Sequence, residues 1–325
     1  MPARKQRQIH GIRRIFIDLR RINMLRANFH THTTLCDGSS TPEDMARRAV
    51  SLGFTQLGFS GHMDPDNHMD MNLYRNRIHA LQEQYRGKID ILIGIELDTV
   101  YNPVYARQVE YTIGSTHFPD VACNRGYESA GLQPSNGGAC EPEGGRNRSG
   151  SERPLSVDAS PEDLQLLADR YFGGDFYQLA RCYYETEAQV YDRLHCTFIG
   201  HFDLITKFND QMHVLDETDP RYTRPALETM AYLAEEGVPF EINCGAVNRG
   251  LKKEFYPNSF FLRALHDMGG EILINSDAHQ AELLNGAFDR AVNQAAACGF
   301  THANILVHGE NGAVSWRSLP LDTLL

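Results

Sequence analysis

Residues 28–37 read Asn-Phe-His-Thr-His-Thr-Thr-Leu-Cys-Asp. His30 and His32, one residue apart at the end of an extended segment, project their imidazoles to the same side, and Asp37 follows after a short turn. This is a metal-ligand spacing, and imidazole with carboxylate suits Zn, Mn or Fe better than Ca or Mg alone. An isolated His-x-His pair carries little weight. The case rests on whether the same residue types recur at equivalent places downstream.

They recur after one short apolar segment after another. Residues 55–60 run into Gly61-His62, and residues 89–95, rich in β-branched side chains, end on Glu96. Tyr111–Ser115 delivers His117, and residues 196–200 hand over His201 and Asp203. Residues 238–242 end at Asn243, and residues 271–275 release Ser276-Asp277-Ala278-His279. Helical patterns lie between these strands. Thr41-Pro42-Glu43-Asp44 and Ser160-Pro161-Glu162-Asp163 each read as an N-cap, a proline at the first helical position and acids in the first turn. Further helices are predicted over 73–85, 175–194, 220–236, 258–268 and 285–298, and an apolar run at 304–307 closes the chain.

Strands alternating with helices at least seven times require parallel strands and helical crossovers. In a closed α/β barrel all strand ends gather on one face, and that face would collect the ligands. A flat doubly wound sheet would spread them along its edge instead. The expected fold is therefore an α/β, TIM-like barrel. No Gly-x-Gly-x-x-Gly or Walker pattern supports a nucleotide fold.

With 325 residues and 42% hydrophobic content the chain can bury a core of this size. The formal charge is −11, with residues 1–26 contributing +7 and the rest −18. An acidic body is a poor partner for nucleic acid but tolerates divalent cations. No apolar run approaches the roughly 20 residues of a membrane span. The seven cysteines form no Cys-x-x-Cys pair and are odd in number, as expected of a chain in a reducing cytoplasm. The basic segment 1–26 reads as a leader outside the core, and 27–325 as the barrel domain. Within it, residues 120–160, crowded with Gly, Ser, Asn, Pro and Arg, read as a polar insert on the ligand-bearing face.

Nine residues of ligand type share the strand-end address: His30, His32, Asp37, His62, Glu96, His117, His201, Asp277 and His279. Six of the fourteen histidines fall there, and the other eight receive no metal role. His30-Thr31-His32 with Asp37, Ser60-Gly61-His62, Gly94-Ile95-Glu96, Gly114-Ser115-Thr116-His117, Gly200-His201-Phe202-Asp203 and Ser276-Asp277-Ala278-His279 together resemble the ordered motifs of the PHP (polymerase and histidinol phosphatase) metallohydrolases. Glu241-Ile242-Asn243 with Asn248-Arg249-Gly250 and Glu254-Phe255-Tyr256-Pro257, and His201-Phe202-Asp203-Leu204-Ile205 with Lys207, are most similar to the PHP-type histidinol-phosphatases.

The resemblance implies a distorted (β/α)7 barrel with three divalent metal ions. His30, His32, Glu96 and Asp277 would hold the first and Glu96, His117 and His201 the second, with Glu96 bridging. Asp37, His62 and His279 would hold the third. It also implies a phosphatase of histidine biosynthesis that cleaves L-histidinol phosphate to L-histidinol and inorganic phosphate through a metal-bridging hydroxide. Glu96 and His117 are thus candidate catalytic residues. Asp203 is a candidate for protonating the leaving group or, as the favoured role, for orienting His201. Arg249 and Lys207 are candidate phosphate ligands, the first as a planar fork and the second as a point charge. Another small phosphomonoester, a nucleotide or a phosphotyrosine remain alternative substrates, and a non-catalytic metal-binding scaffold is the alternative of a different class. The sequence leaves the oligomeric state open.

Overall fold

The computed structural model describes residues 26–124, 154–309 and 313–324. Seven parallel strands curl into a nearly closed barrel: β1 (Arg26–Asn28), β2 (Phe54–Phe59), β4 (Asp90–Asp98), β5 (Tyr111–Ser115), β6 (Phe198–Ile199), β7 (Phe240–Asn243) and β8 (Ile272–Asn275). The two-residue β3 (His62–Met63) lies off this path and pairs with the C-terminal half of β4, setting His62 opposite Glu96. β1 and β8 meet at the seam through one bridge, Thr31 to Ala278, where the His32 amide donates to the Ala278 carbonyl at 2.9 Å. Asn28 reinforces the seam, its amide reaching Ser276 Oγ and the Leu284 carbonyl.

Inside the barrel, Tyr111 donates its phenol to the carbonyls of Phe29 and Phe59 at 2.7 and 3.0 Å. The ring fits because Gly58 and Gly94 face it, and a Cβ at either position would collide with it. Phe198 stacks on the same ring, so the strands close over packed side chains rather than a pore.

The helices begin where the caps predict. Thr41 Oγ1 accepts from the Asp44 amide at the head of helix Pro42–Ser51, and Ser160 Oγ from the Asp163 amide at the head of Pro161–Phe172. One expected element divides: residues 175–194 form two helices, Phe176–Glu187 and Val190–Leu194. The turn tightens at the junction, the Gln189 amide bonding to the Thr186 carbonyl.

The final apolar run also differs from expectation. It lies in β9 (His302–His308), outside the barrel sheet, and pairs antiparallel with β10 (Val314–Pro320). Trp316 of this hairpin meets Phe198 edge-on. Arg26, placed by the sequence in the basic leader, begins β1 and donates to the Leu52 carbonyl. The remainder of the leader and most of the 120–160 insert lie outside the described residues.

Candidate metal centre

Strand ends around the barrel supply side chains to one pocket. His30 and His32 follow β1, Asp37 the next turn, His62 opens β3, Glu96 lies in β4, and His117 and His201 each stand two residues past their strands. Asp277 and His279 follow β8. The His30 and His32 ring centres are 5.1 Å apart.

Glu96 lies at the centre, essentially buried, and its two oxygens face different rings. Oε2 is 3.0 Å from His30 Nε2, 3.4 Å from His32 Nε2 and 3.2 Å from His62 Nδ1. Oε1 is 2.7 Å from His201 Nε2 and 3.4 Å from His117 Nε2, and accepts the Ser115 hydroxyl at 2.7 Å. Asp277 Oδ1 approaches His32 Nε2 at 3.3 Å and His279 Nδ1 at 3.5 Å. Asp37 faces His279, His32 and His62 at 3.1, 3.4 and 3.6 Å. Asp277 holds a left-handed backbone at φ 49°, a strained geometry for a non-glycine residue and one concentrated at functional sites.

All nine expected ligand residues are in this cluster, and Asp64 joins them. Their ligand atoms form four groups: His30, His32 and Asp277; His30, Glu96 and His201; His32, Asp37, His62 and His279; and His62, Asp64 and His117. The partition differs from the one the resemblance implied, because His32 also stands with Asp37 and His117 with Asp64. His201 lies closer than His117 to Glu96 Oε1, and His117 Nδ1 faces Asp98 at 3.4 Å.

Burial strips charge from His62, holding its ring down at about 3, but at His30 and Glu96 mutual attraction overrides it. Desolvation lowers the His30 pKa, but Glu241, Glu96 and Asp277 outweigh it and push the ring up to about 10. Burial likewise raises Glu96, while His62, His30 and His117 hold the carboxyl well below its usual range. Cations binding here would therefore displace protons from the rings.

A direct test of fit is whether the rings are satisfied without a cation. Among the described residues, both nitrogens of His32 and Nδ1 of His62, His117 and His201 are buried and lack a hydrogen-bond partner. Buried polar atoms are normally paired, so His32, whose two orphaned nitrogens lie among Asp37, Glu96 and Asp277, fits a cation shared with those carboxylates. The mixed nitrogen and oxygen set suits zinc, manganese or iron.

Two carboxylates missed from the sequence stand behind the rings. Glu241 of β7 takes His30 Nδ1 at 2.8 Å and the His201 amide at 3.0 Å. Asp98 takes the His117 amide at 2.7 Å. An acid inside the apolar strand Phe240–Asn243 was a readable signal, since such a residue needs a buried partner.

Asp203 does not orient His201. Its Oδ1 accepts from the phenols of Tyr184 and Tyr222, whereas His201 Nδ1 is unpaired. The 3-10 turn Leu204–Thr206 begins directly after Asp203, whose side chain is held by these two helix-borne tyrosines. Lys207 is not a free cation, for Nζ donates to the main chain and side chain of Asp158 at 2.7 and 3.1 Å. Arg249 stands beside the cluster, its guanidinium 3.4 Å from Asp277 Oδ2 and 3.3 Å from His279 Nδ1.

Comparison with known proteins agrees with this geometry. The chain is 24% identical to "Probable histidinol-phosphatase" of Schizosaccharomyces pombe over 302 residues, covering 83% of this chain and 85% of the relative. It is 26% identical to "Probable histidinol-phosphatase" of Deinococcus radiodurans over 287 residues, covering 82% and 90%. The crystal structure of histidinol phosphate phosphatase from Lactococcus lactis subsp. lactis, complexed with Zn, L-histidinol and phosphate, superposes with a TM-score of 0.58 at 18% identity, over 86% of this chain and 95% of that one. That likeness concerns the fold. Residues 28–245 match the PHP domain, and with the barrel and its clustered imidazoles in place, the chain belongs to the PHP domain family.

Proposed function

We propose that this chain is a metal-dependent phosphomonoesterase that hydrolyses L-histidinol phosphate to L-histidinol and inorganic phosphate. The observation that carries the reading is Glu96, whose two oxygens face separate sets of imidazoles, the arrangement a carboxylate needs to bridge two cations. The two relatives named for this activity, matched over most of their length, support the substrate.

His30, His32, Asp37, His62, Glu96, His117, His201, Asp277 and His279 would hold three divalent cations, of zinc, manganese or iron. Bound there, the cations would supply Lewis acidity and a water of lowered pKa for attack on phosphorus. Glu241 fixes the His30 ring and anchors the His201 backbone, while Asp98 anchors the backbone at His117. Arg249, next to Asp277 and His279, offers a fork of N–H donors to phosphoryl oxygens. Lys207, neutralised by Asp158, leaves the phosphoryl group to Arg249. Asp203, bonded to two tyrosines, supports the wall of the pocket from behind.

The test is a substrate panel with the zinc- or manganese-loaded protein. L-histidinol phosphate should exceed an aryl phosphate, a nucleotide and phosphotyrosine in kcat/KM by about 100-fold, since a site built to pair a substrate's polar groups discriminates strongly. Equal turnover would remove the substrate assignment. Full metal loading with no turnover of any ester would leave a scaffold.

A further inference from the structure

His62, like His30 and His117, has a carboxylate of its own against the ring besides Glu96. For His30, Nε2 faces Glu96 and Nδ1 is held by Glu241 at 2.8 Å. For His117, Nε2 faces Glu96 and Nδ1 lies 3.4 Å from Asp98. In both, the nitrogen away from the cluster meets a second, buried carboxylate. His62 turns Nε2 to Asp37 at 3.6 Å, and its buried Nδ1, which has no hydrogen-bond partner, lies 3.3 Å from Asp64 Oδ2 and 3.2 Å from Glu96 Oε2. Glu96 Oε2 also faces His30 and His32, so in a loaded centre its lone pairs are directed at cations rather than at a ring N–H.

Asp64 is placed for that part, its Oδ2 also accepting from the Asn67 side-chain amide at 3.3 Å. Its Oδ1 is fixed by the amides of Asp66 and Asn67 at 2.7 and 2.6 Å, closing a turn that holds the carboxylate in place. Oδ2, buried with the rest of the side chain, points at the ring.

We propose that Asp64 is the positioning residue for His62: it accepts the Nδ1 proton and thereby presents the Nε2 lone pair to the cation shared with Asp37 and His279. This gives the centre a third carboxylate–imidazole pair beside Glu241–His30 and Asp98–His117. The inference deepens the metal-centre reading and rests on it.

Asp64→Asn separates this role from the turn. Asparagine keeps Oδ1 and hence both backbone bonds, gives up the acceptor of the Asn67 side-chain amide, and sets an N–H donor against His62 Nδ1; Asn67→Ala, which loses that amide bond and should leave zinc affinity unchanged, is the control. The ring must then accept there and carry its proton on Nε2, which closes that nitrogen to a cation. In chelator competition with zinc, the variant should bind one zinc about 10- to 100-fold more weakly, as loss of such partners does elsewhere, with the other zinc ions held as before and an unchanged circular dichroism spectrum. A second measurement needs no variant: nitrogen-15 spectra of the zinc-loaded chain should show the His62 proton on Nδ1. Zinc affinities identical to the parent's, or a proton on Nε2 in the parent, would overturn the proposal. Wild-type protein holding fewer than two zinc ions per chain would instead remove the metal-centre reading, and this inference with it.

Discussion

Where β4 and β5 begin, His308 is held on both ring nitrogens, Nδ1 by Asp90 at 2.7 Å and Nε2 by Glu110 at 3.0 Å. At the opposite end of the barrel His32 is surrounded by Asp37, Glu96 and Asp277, and neither of its nitrogens is hydrogen-bonded. Both constellations join a histidine to carboxylates. In the first, donors and acceptors close on one another, and Glu110 also receives the Ile93 amide, so the result is a clamp between the β9–β10 hairpin and the barrel. In the second, three carboxylates crowd one ring, and neither of its nitrogens is paired. The lesson is that residue type does not distinguish a ligand from a strut, whereas the crowding of carboxylates and further imidazoles around the ring does.

The contrast can be broken most severely at Glu96. Glu96→Ala removes the carboxylate from between both sets of rings and should lower kcat by at least about a thousandfold while reducing bound metal, a loss at the upper end for one preorganised charge-stabilising group. Activity near the parent's would place Glu96 with Glu110 among the struts. Arg249→Ala tests the rim. Losing charge-assisted bonds of about 2 kcal/mol should raise KM roughly thirtyfold with little change in kcat. An unaltered KM would show that the guanidinium serves only Asp277.

His308→Gln sharpens the other side, with metal content and turnover expected to remain unchanged. Burial lowers the His308 pKa, but Glu110 and Asp90 raise it above 6.5 on balance. The folded state therefore favours the protonated ring. Its stabilisation is complete below pH 6.5 and is lost as pH rises through the raised value. The variant should melt a few degrees lower at pH 6, corresponding to about 1 kcal/mol, and the gap should shrink at alkaline pH. A gap independent of pH would rule out a charged clamp.

Much of this architecture can be read from residue order alone. Short apolar runs, some rich in β-branched residues, mark the strands, and Thr41-Pro42 and Ser160-Pro161 mark helix starts, because those signals are local. The nine ligand residues share one address because every parallel strand ends on the same face. What stands behind them is set by tertiary contact: Glu241 is 211 residues from His30, and no spacing rule links them. Asp203 misled for the same reason, since its proximity to His201 in the chain gives no sign of Tyr222. β10 escaped notice because its side chains are mostly exposed, leaving little hydrophobic pattern to read.

The seam between β1 and β8 has a consequence for biosynthesis. His30 and His32 leave the ribosome early, while Asp277 and His279, which they meet across the Thr31–Ala278 bridge, are made about 245 residues later. A nascent chain shorter than that holds only part of the ligand set, so tight capture of cations waits until Asp277 and His279 have been made and the β1 and β8 segments have met.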